Sequence, residues 1–101
     1  MGDRVFALAS IDKVDEYGVQ MGDSEHIVNI LRDLEGISIS MLVKEYGNGE
    51  YKVSMRSKGI DISKTARENG GGGHANASGF SIFDDSLESA AAKAREILQN
   101  I

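Results

Sequence analysis

A chain of 101 residues, 41% of them hydrophobic, has the length of one ordinary domain with a modest core. It contains no cysteine, which excludes disulfide scaffolds, thiolate zinc sites and cysteine nucleophiles. Eleven basic against sixteen acidic residues leave a net charge of −5, a poor balance for clamping long nucleic acid by charge alone.

Val5-Phe6-Ala7-Leu8-Ala9 is a short apolar run that reads as a buried strand, with Ile11 at its end. The polar stretch from Asp12 to Gly22 reads as a connection, its Asp15-Glu16 pair solvated. Asp23 or Ser24 then caps a helix whose apolar stripe is Ile27, Val28, Ile30, Leu31 and Leu34, and Gly36 stands where a C-terminal glycine belongs. Ile37, Ile39, Met41 and Val43 alternate with Ser38, Ser40 and Lys44, the signature of a half-buried strand. Gly47-Asn48-Gly49 supplies a hairpin turn, and Tyr51, Val53 and Met55 alternate with Lys52, Ser54 and Arg56 on the returning strand. That alternation puts Lys52, Ser54 and Arg56 on one face, with Val53 and Met55 turned to the core.

Asp61 is placed to cap a short helix from Ile62 to Asn69, which the glycine run ends. Ala75 to Phe83 reads as a further strand. Asp85 and Glu88 form a start resembling a capping box, with Asp85 as the cap. Behind them Leu87, Ala90, Ala91, Ala94, Ile97, Leu98 and Ile101 make the clearest helical stripe in the chain. The order β-α-β-β-α-β-α predicts an α/β (α+β) domain over residues 1–101, with a small mixed sheet of about four to five strands and helices packed on it. No apolar run approaches the ~20 residues that span a bilayer and no leader opens the chain, so a soluble cytoplasmic domain with no membrane partner is expected.

The residues do not assemble a self-sufficient active site. His26 and His74 are the only histidines, no H-x-x-x-H pair occurs, and the acids are scattered; no serine stands in a G-x-S-x-G context. Asp84-Asp85 precedes a helix and reads as capping. The informative segment is Gly70-Gly71-Gly72-Gly73-His74. Unshielded glycine N–H groups can converge on an anion, and a histidine beside them can donate to a phosphate oxygen or stack on a base. A flexible loop with a bystander histidine is the plainer alternative. No Gly-Lys-Ser/Thr follows, so the run is not a P-loop. Charge is unevenly spread: residues 1–50 carry −6, residues 52–68 carry +3 and residues 69–101 carry −2. The one basic stretch leads into the glycines, with Arg56 able to grip a phosphate bidentately and Ser57 able to donate beside it.

Val53-Ser54-Met55-Arg56-Ser57-Lys58, Asp61-Ile62-Ser63-Lys64, the glycine run with His74, and Ala77-Ser78-Gly79-Phe80 together resemble the C-terminal DHH-associated domain of DHH-family phosphoesterases. The likeness is greatest to the bacterial subgroup that degrades nano-RNA, pAp or cyclic dinucleotides. The resemblance implies a substrate-binding domain whose partner, a catalytic DHH domain of the same polypeptide, holds manganese; this chain lacks the Asp-His-His motif and is expected to be inactive alone, with no cofactor of its own. It further implies substrate contacts from Arg56, Ser57, Gly70, Gly71, Gly72, Gly73 and His74, and from Asn76, which stands where such proteins often carry lysine. The expected partner is a short RNA or nucleotide. The alternative is a tRNA-binding and dimerisation module like that of alanyl-tRNA synthetases, and a homodimer is compatible with either; a small-molecule sensing domain is a third reading.

Overall fold

A computed structural model describes residues 3–9 and 23–101. Ile11, the connection expected over 12–22 with its Asp15-Glu16 pair, and the capping side chains of Asp23 and Ser24 lie outside the described residues. The elements are β1 (Arg4–Ala9), α1 (Asp23–Asp33), β2 (Ile39–Gly47), β3 (Glu50–Ser57), α2 (Ser63–Glu68), β4 (Gly72–His74), β5 (Ala77–Phe83) and α3 (Leu87–Gln99). They form an α+β fold around one mixed sheet of order β1-β2-β3-β5-β4, in which β1 runs parallel to β2 and the other pairs are antiparallel.

The alternation read along β3 is realised in full. Tyr51, Val53, Met55 and Ser57 are buried, while Glu50, Lys52, Ser54 and Arg56 are partly exposed on the other face. The buried set meets Ile39, Met41 and Val43 of β2, Phe80 of β5, Ile62 and Ala66, and Ala90, Ala94 and Leu98 of α3. That layer, sheet against α2 and α3, is the core. Strand β2 departs from the half-buried expectation because Ser40 and Leu42 are buried as well. Helix α1 covers them from the opposite face, and the Ser40 hydroxyl donates to the Val28 carbonyl at 2.8 Å.

Further expectations change in the structure: α2 begins at Ser63 with Ile62 at its N-cap, and Asp61, one residue earlier, accepts from the Ser63 N–H at 2.9 Å. The apolar stripe of α1 is only partly used: Val28 is fully buried, but Ile27, Ile30 and Leu34 stay 38%, 51% and 47% exposed. An 11-residue helix resting on β2 and β3 buries one narrow line of side chains, not the whole stripe. The cap of α3 is Ser86, whose hydroxyl accepts from the Ser89 N–H at 3.1 Å; Asp85 stands one residue too early. Asp84 instead braces this helix start, accepting from the Asp85 N–H, the Ser89 hydroxyl and the Lys93 ammonium. Finally, the strand expected over Ala75–Phe83 begins at Ala77, and a short edge strand, β4, forms from glycine-rich sequence before it. Two of its three residues lack the side chains whose alternation would announce a strand.

Candidate substrate-binding site

The glycine run divides into two structural tasks. Gly70 adopts φ +86°, and its N–H donates to the Arg67 carbonyl while the Gly71 N–H donates to the Ala66 carbonyl. This pair of bonds is the glycine C-cap of a helix, so two of the four N–H groups are spent on α2 and do not converge on a ligand. Gly71 also passes so close to β5 that a Cβ there would lie 2.0 Å from the Gly79 carbonyl oxygen. Gly72 and Gly73 then pair with Gly79 and Ser78, and His74 pairs with Ala77.

Register decides what shares a face. Arg56 lies opposite Ala77 on β5, and Ala77 lies opposite His74 on β4. Directly opposed residues project from the same side of a sheet, so Arg56, Ala77 and His74 form one rung with the two functional side chains about 10 Å apart across a methyl floor. The next rung is Ser54, Gly79 and Gly72. Ser54, Arg56, Gly72, Gly73, Ala77, Ser78 and Gly79 line a shallow recess of about 240 Å³. All its lining side chains other than that of Arg56 are small, so the recess is open enough for a flat or phosphorylated ligand. Helix α1 forms the wall on the Arg56 side: the Arg56 Nε donates to Asn29 Oδ1 at 2.9 Å, and its Nη1 to the Met55 carbonyl at 2.8 Å. No carboxylate pairs with Arg56 among the described residues, which leaves its charge available to an anion.

The turn carrying His74 is fastened from beneath. The Ser57 N–H donates to the Asn76 carbonyl at 3.0 Å and the Ile62 N–H to the Ala75 carbonyl at 2.8 Å. Ser57 is 3% exposed, with its hydroxyl 2.5 Å from the Ile60 carbonyl and 3.2 Å from Asn76 Oδ1; Ser78 Oγ reaches the Ile62 carbonyl at 3.2 Å. The structure therefore separates the expected Arg56–Ser57 pair. Arg56 faces the recess, whereas Ser57 points to the core side and ties the hairpin to β3. His74 and Asn76 are exposed. Sequence reasoning gave no site role to Asn29, which orients Arg56 from a distant helix, or to Ala77 and Gly79, which it quoted only within the family-like segment and which form the floor. The floor had a signal: Ala77, Gly79 and Ser81 are three small residues at strand spacing.

A larger recess, about 470 Å³, lies between α2 and α3 on the far side of the sheet, lined by Thr65, Glu68, Lys93 and Glu96 among others. Its two carboxylates oppose an anionic ligand, and its Lys93 is paired with Asp84 at 2.8 Å. Among the described residues no three of His, Cys, Asp or Glu come together. The described residues therefore assemble no metal centre. Among the described residues, no helix is long and apolar enough to cross a membrane.

Comparison with known proteins agrees with this architecture. Residues 3–100 match the family model of the DHHA1 domain. The bifunctional oligoribonuclease and PAP phosphatase NrnA of Mycoplasma pneumoniae is 44% identical over 52 residues, which are 52% of this chain and 16% of that protein. The crystal structure of an exopolyphosphatase-related protein from Bacteroides fragilis superposes with a TM-score of 0.76 at 29% identity, over 93% of this chain and 28% of the other. The C-Ala domain of Aquifex aeolicus alanyl-tRNA synthetase superposes with a TM-score of 0.65 at 15% identity, covering 94% of this chain and 89% of that one, a likeness of fold alone. The matched part of the chain thus spans about a sixth of the length of that Mycoplasma pneumoniae protein. With nearly every residue inside the family match, and with the basic rung and glycine hairpin in place, this chain belongs to the DHHA1 domain family.

Proposed function

We propose that this chain is the substrate-holding domain of a DHH-family phosphoesterase that degrades short oligoribonucleotides, pAp or cyclic dinucleotides. The observation that carries the reading is the Arg56–Ala77–His74 rung on an open face, with a guanidinium at one end that pairs with no carboxylate among the described residues. Arg56 grips a phosphate, His74 donates to it or stacks on the adjoining base, and Gly72 and Gly73 let the ligand approach the backbone. Asn76 offers a further hydrogen bond from the exposed turn, while Gly70, Gly71 and Ser57 hold that turn in place. Bond cleavage belongs to a separate catalytic DHH domain of the same polypeptide, with manganese as the expected ion. The chain's contribution is orientation, which removes entropy from the barrier before chemistry begins. Titration calorimetry with pAp and a diribonucleotide tests this. Arg56→Ala and His74→Ala should each weaken binding by about tenfold, the loss of one charge-assisted contact, with unchanged thermal melting. Wild-type affinity in both variants, or manganese-dependent hydrolysis by the pure chain, would overturn the reading.

The tRNA-binding alternative has the C-Ala likeness of fold in its support. Retention of full-length tRNA in a gel shift, with no affinity for pAp, would favour it.

A further inference from the structure

The open face does not end at the Arg56 rung. The recess beside Arg56 runs on into a second of about 270 Å³, lined by Lys52, Ser54, Gly79 and Ser81 among others, the two sharing Ser54 and Gly79. Along β3 and β5 the successive rungs are Arg56–Ala77, Ser54–Gly79, Lys52–Ser81 and Glu50–Phe83. Phe83 therefore projects from the same face as Arg56, six strand residues or ~20 Å further on. It is 70% exposed. Tyr46 stands at the same end, 47% exposed, with the Lys52 ammonium 4.2 Å from its ring centroid. Glu50 is held by the Ser81 hydroxyl at 2.8 Å, so the outermost rung repels phosphate and leaves the neighbouring ring to an uncharged group. Cations along the floor, small residues between them and two exposed rings at the end are what an extended single strand requires: charge for its backbone, aromatic faces for its bases.

Resting on the substrate reading above, we propose that this face is an extended track for single-stranded oligoribonucleotides. Lys52 meets a second phosphate, and Phe83 and Tyr46 form a stacking platform for the nucleotides beyond the one held at Arg56 and His74. Phe83 leaves most of its ring in water, and its place in line with the basic row offers that ring to a base. The track makes a chain of several nucleotides a better ligand than pAp or a dinucleotide, which fill only the first rung. It also selects against duplex, because paired bases have no free faces to stack.

The test is a length series of oligoadenylates, two to five nucleotides, titrated into the chain with 2-aminopurine at either terminus. Affinity is expected to rise with length and the 2-aminopurine fluorescence to be quenched at one terminus only. The double variant Tyr46→Ser/Phe83→Ser should cut the pentamer-to-dimer affinity ratio about fivefold or more, and Phe83→Tyr should restore most of it. Length-independent affinity, or a ratio untouched by the double variant, would overturn the track and mark the face as a protein-docking surface. Failure of the underlying reading looks different: pAp would bind no better to the wild type than to Arg56→Ala.

Discussion

Asp84 ties together the start of α3 and the β2–β3 turn. Its carboxylate, 10% exposed, accepts from the Lys93 ammonium, from the Asp85 N–H and from the Ser89 hydroxyl, while its own N–H donates to Gly49 in the β2–β3 turn. The Lys93 contact, then the Asp85 and Ser89 bonds, hold its pKa down at about 2. A carboxyl depressed in the folded state contributes stability that is present above its ordinary pKa and is lost as pH falls through the folded one. Thermal melting of the wild type should therefore decline between about pH 4 and pH 2. Asp84→Asn should melt lower at pH 7 and show a flatter profile across that window; a profile as steep as the wild type's would assign the acid sensitivity elsewhere. Asp84 was legible in the sequence as a residue at a helix start. Its partner across the turn was not, since that contact joins residues 35 positions apart.

Strand β4 makes glycine identity testable at neighbouring positions. A methyl group on Gly71 would collide with the Gly79 carbonyl and with the backbone of Phe80, whereas one on Gly72 would meet nothing within 4 Å. Gly71→Ala should accordingly destabilise the chain by about 1–3 kcal/mol in urea unfolding, and Gly72→Ala by less than about 0.5 kcal/mol, because only the first is overpacked. Equal effects would mean that β4 does not lie against β5 as described. The contrast shows where sequence reasoning succeeds. β3 and α3 were legible because each buries one face completely, and the side-chain pattern of Val53 and Met55, or of Ala90, Ala94 and Leu98, records it. β4 buries almost nothing, so its pairing left no pattern in the residues. The cap of α3 was misplaced for a similar reason: Asp84, Asp85 and Ser86 are all competent caps, and only the backbone decides among them. As for the site, Arg56 and His74 stood out singly by charge and by company. Their common rung depends on the register of β3, β5 and β4, which no local spacing encodes.

For the whole molecule, the question is how a chain with a net charge of −5 holds a polyanion. The answer suggested by the fold is spatial separation. The sheet face offers Arg56 and Lys52 in one row, whereas Glu68 and Glu96 lie beyond the opposite face, between α2 and α3, and Asp84 is neutralised by Lys93. A ligand that runs along β3 and β5 meets the two cations of that row, Lys44 lying off it on β2 opposite Lys52, and one that extends past the face meets a surface of net negative charge. Counterion release then sets the salt dependence: for single strands, the slope of log affinity against log salt is about −0.7 per neutralised phosphate. Two contacts predict a slope of about −1.4 for a pentanucleotide and about half that for a ligand seated at Arg56 alone. Calorimetric titrations from about 50 to 300 mM potassium chloride, inside the regime where that relation applies, would measure both. Lys52→Gln should reduce the first slope toward the second and leave the second unchanged. A slope of about −4 or steeper would mean a broad basic surface, incompatible with the charge layout of this fold, and would move the ligand off the sheet face.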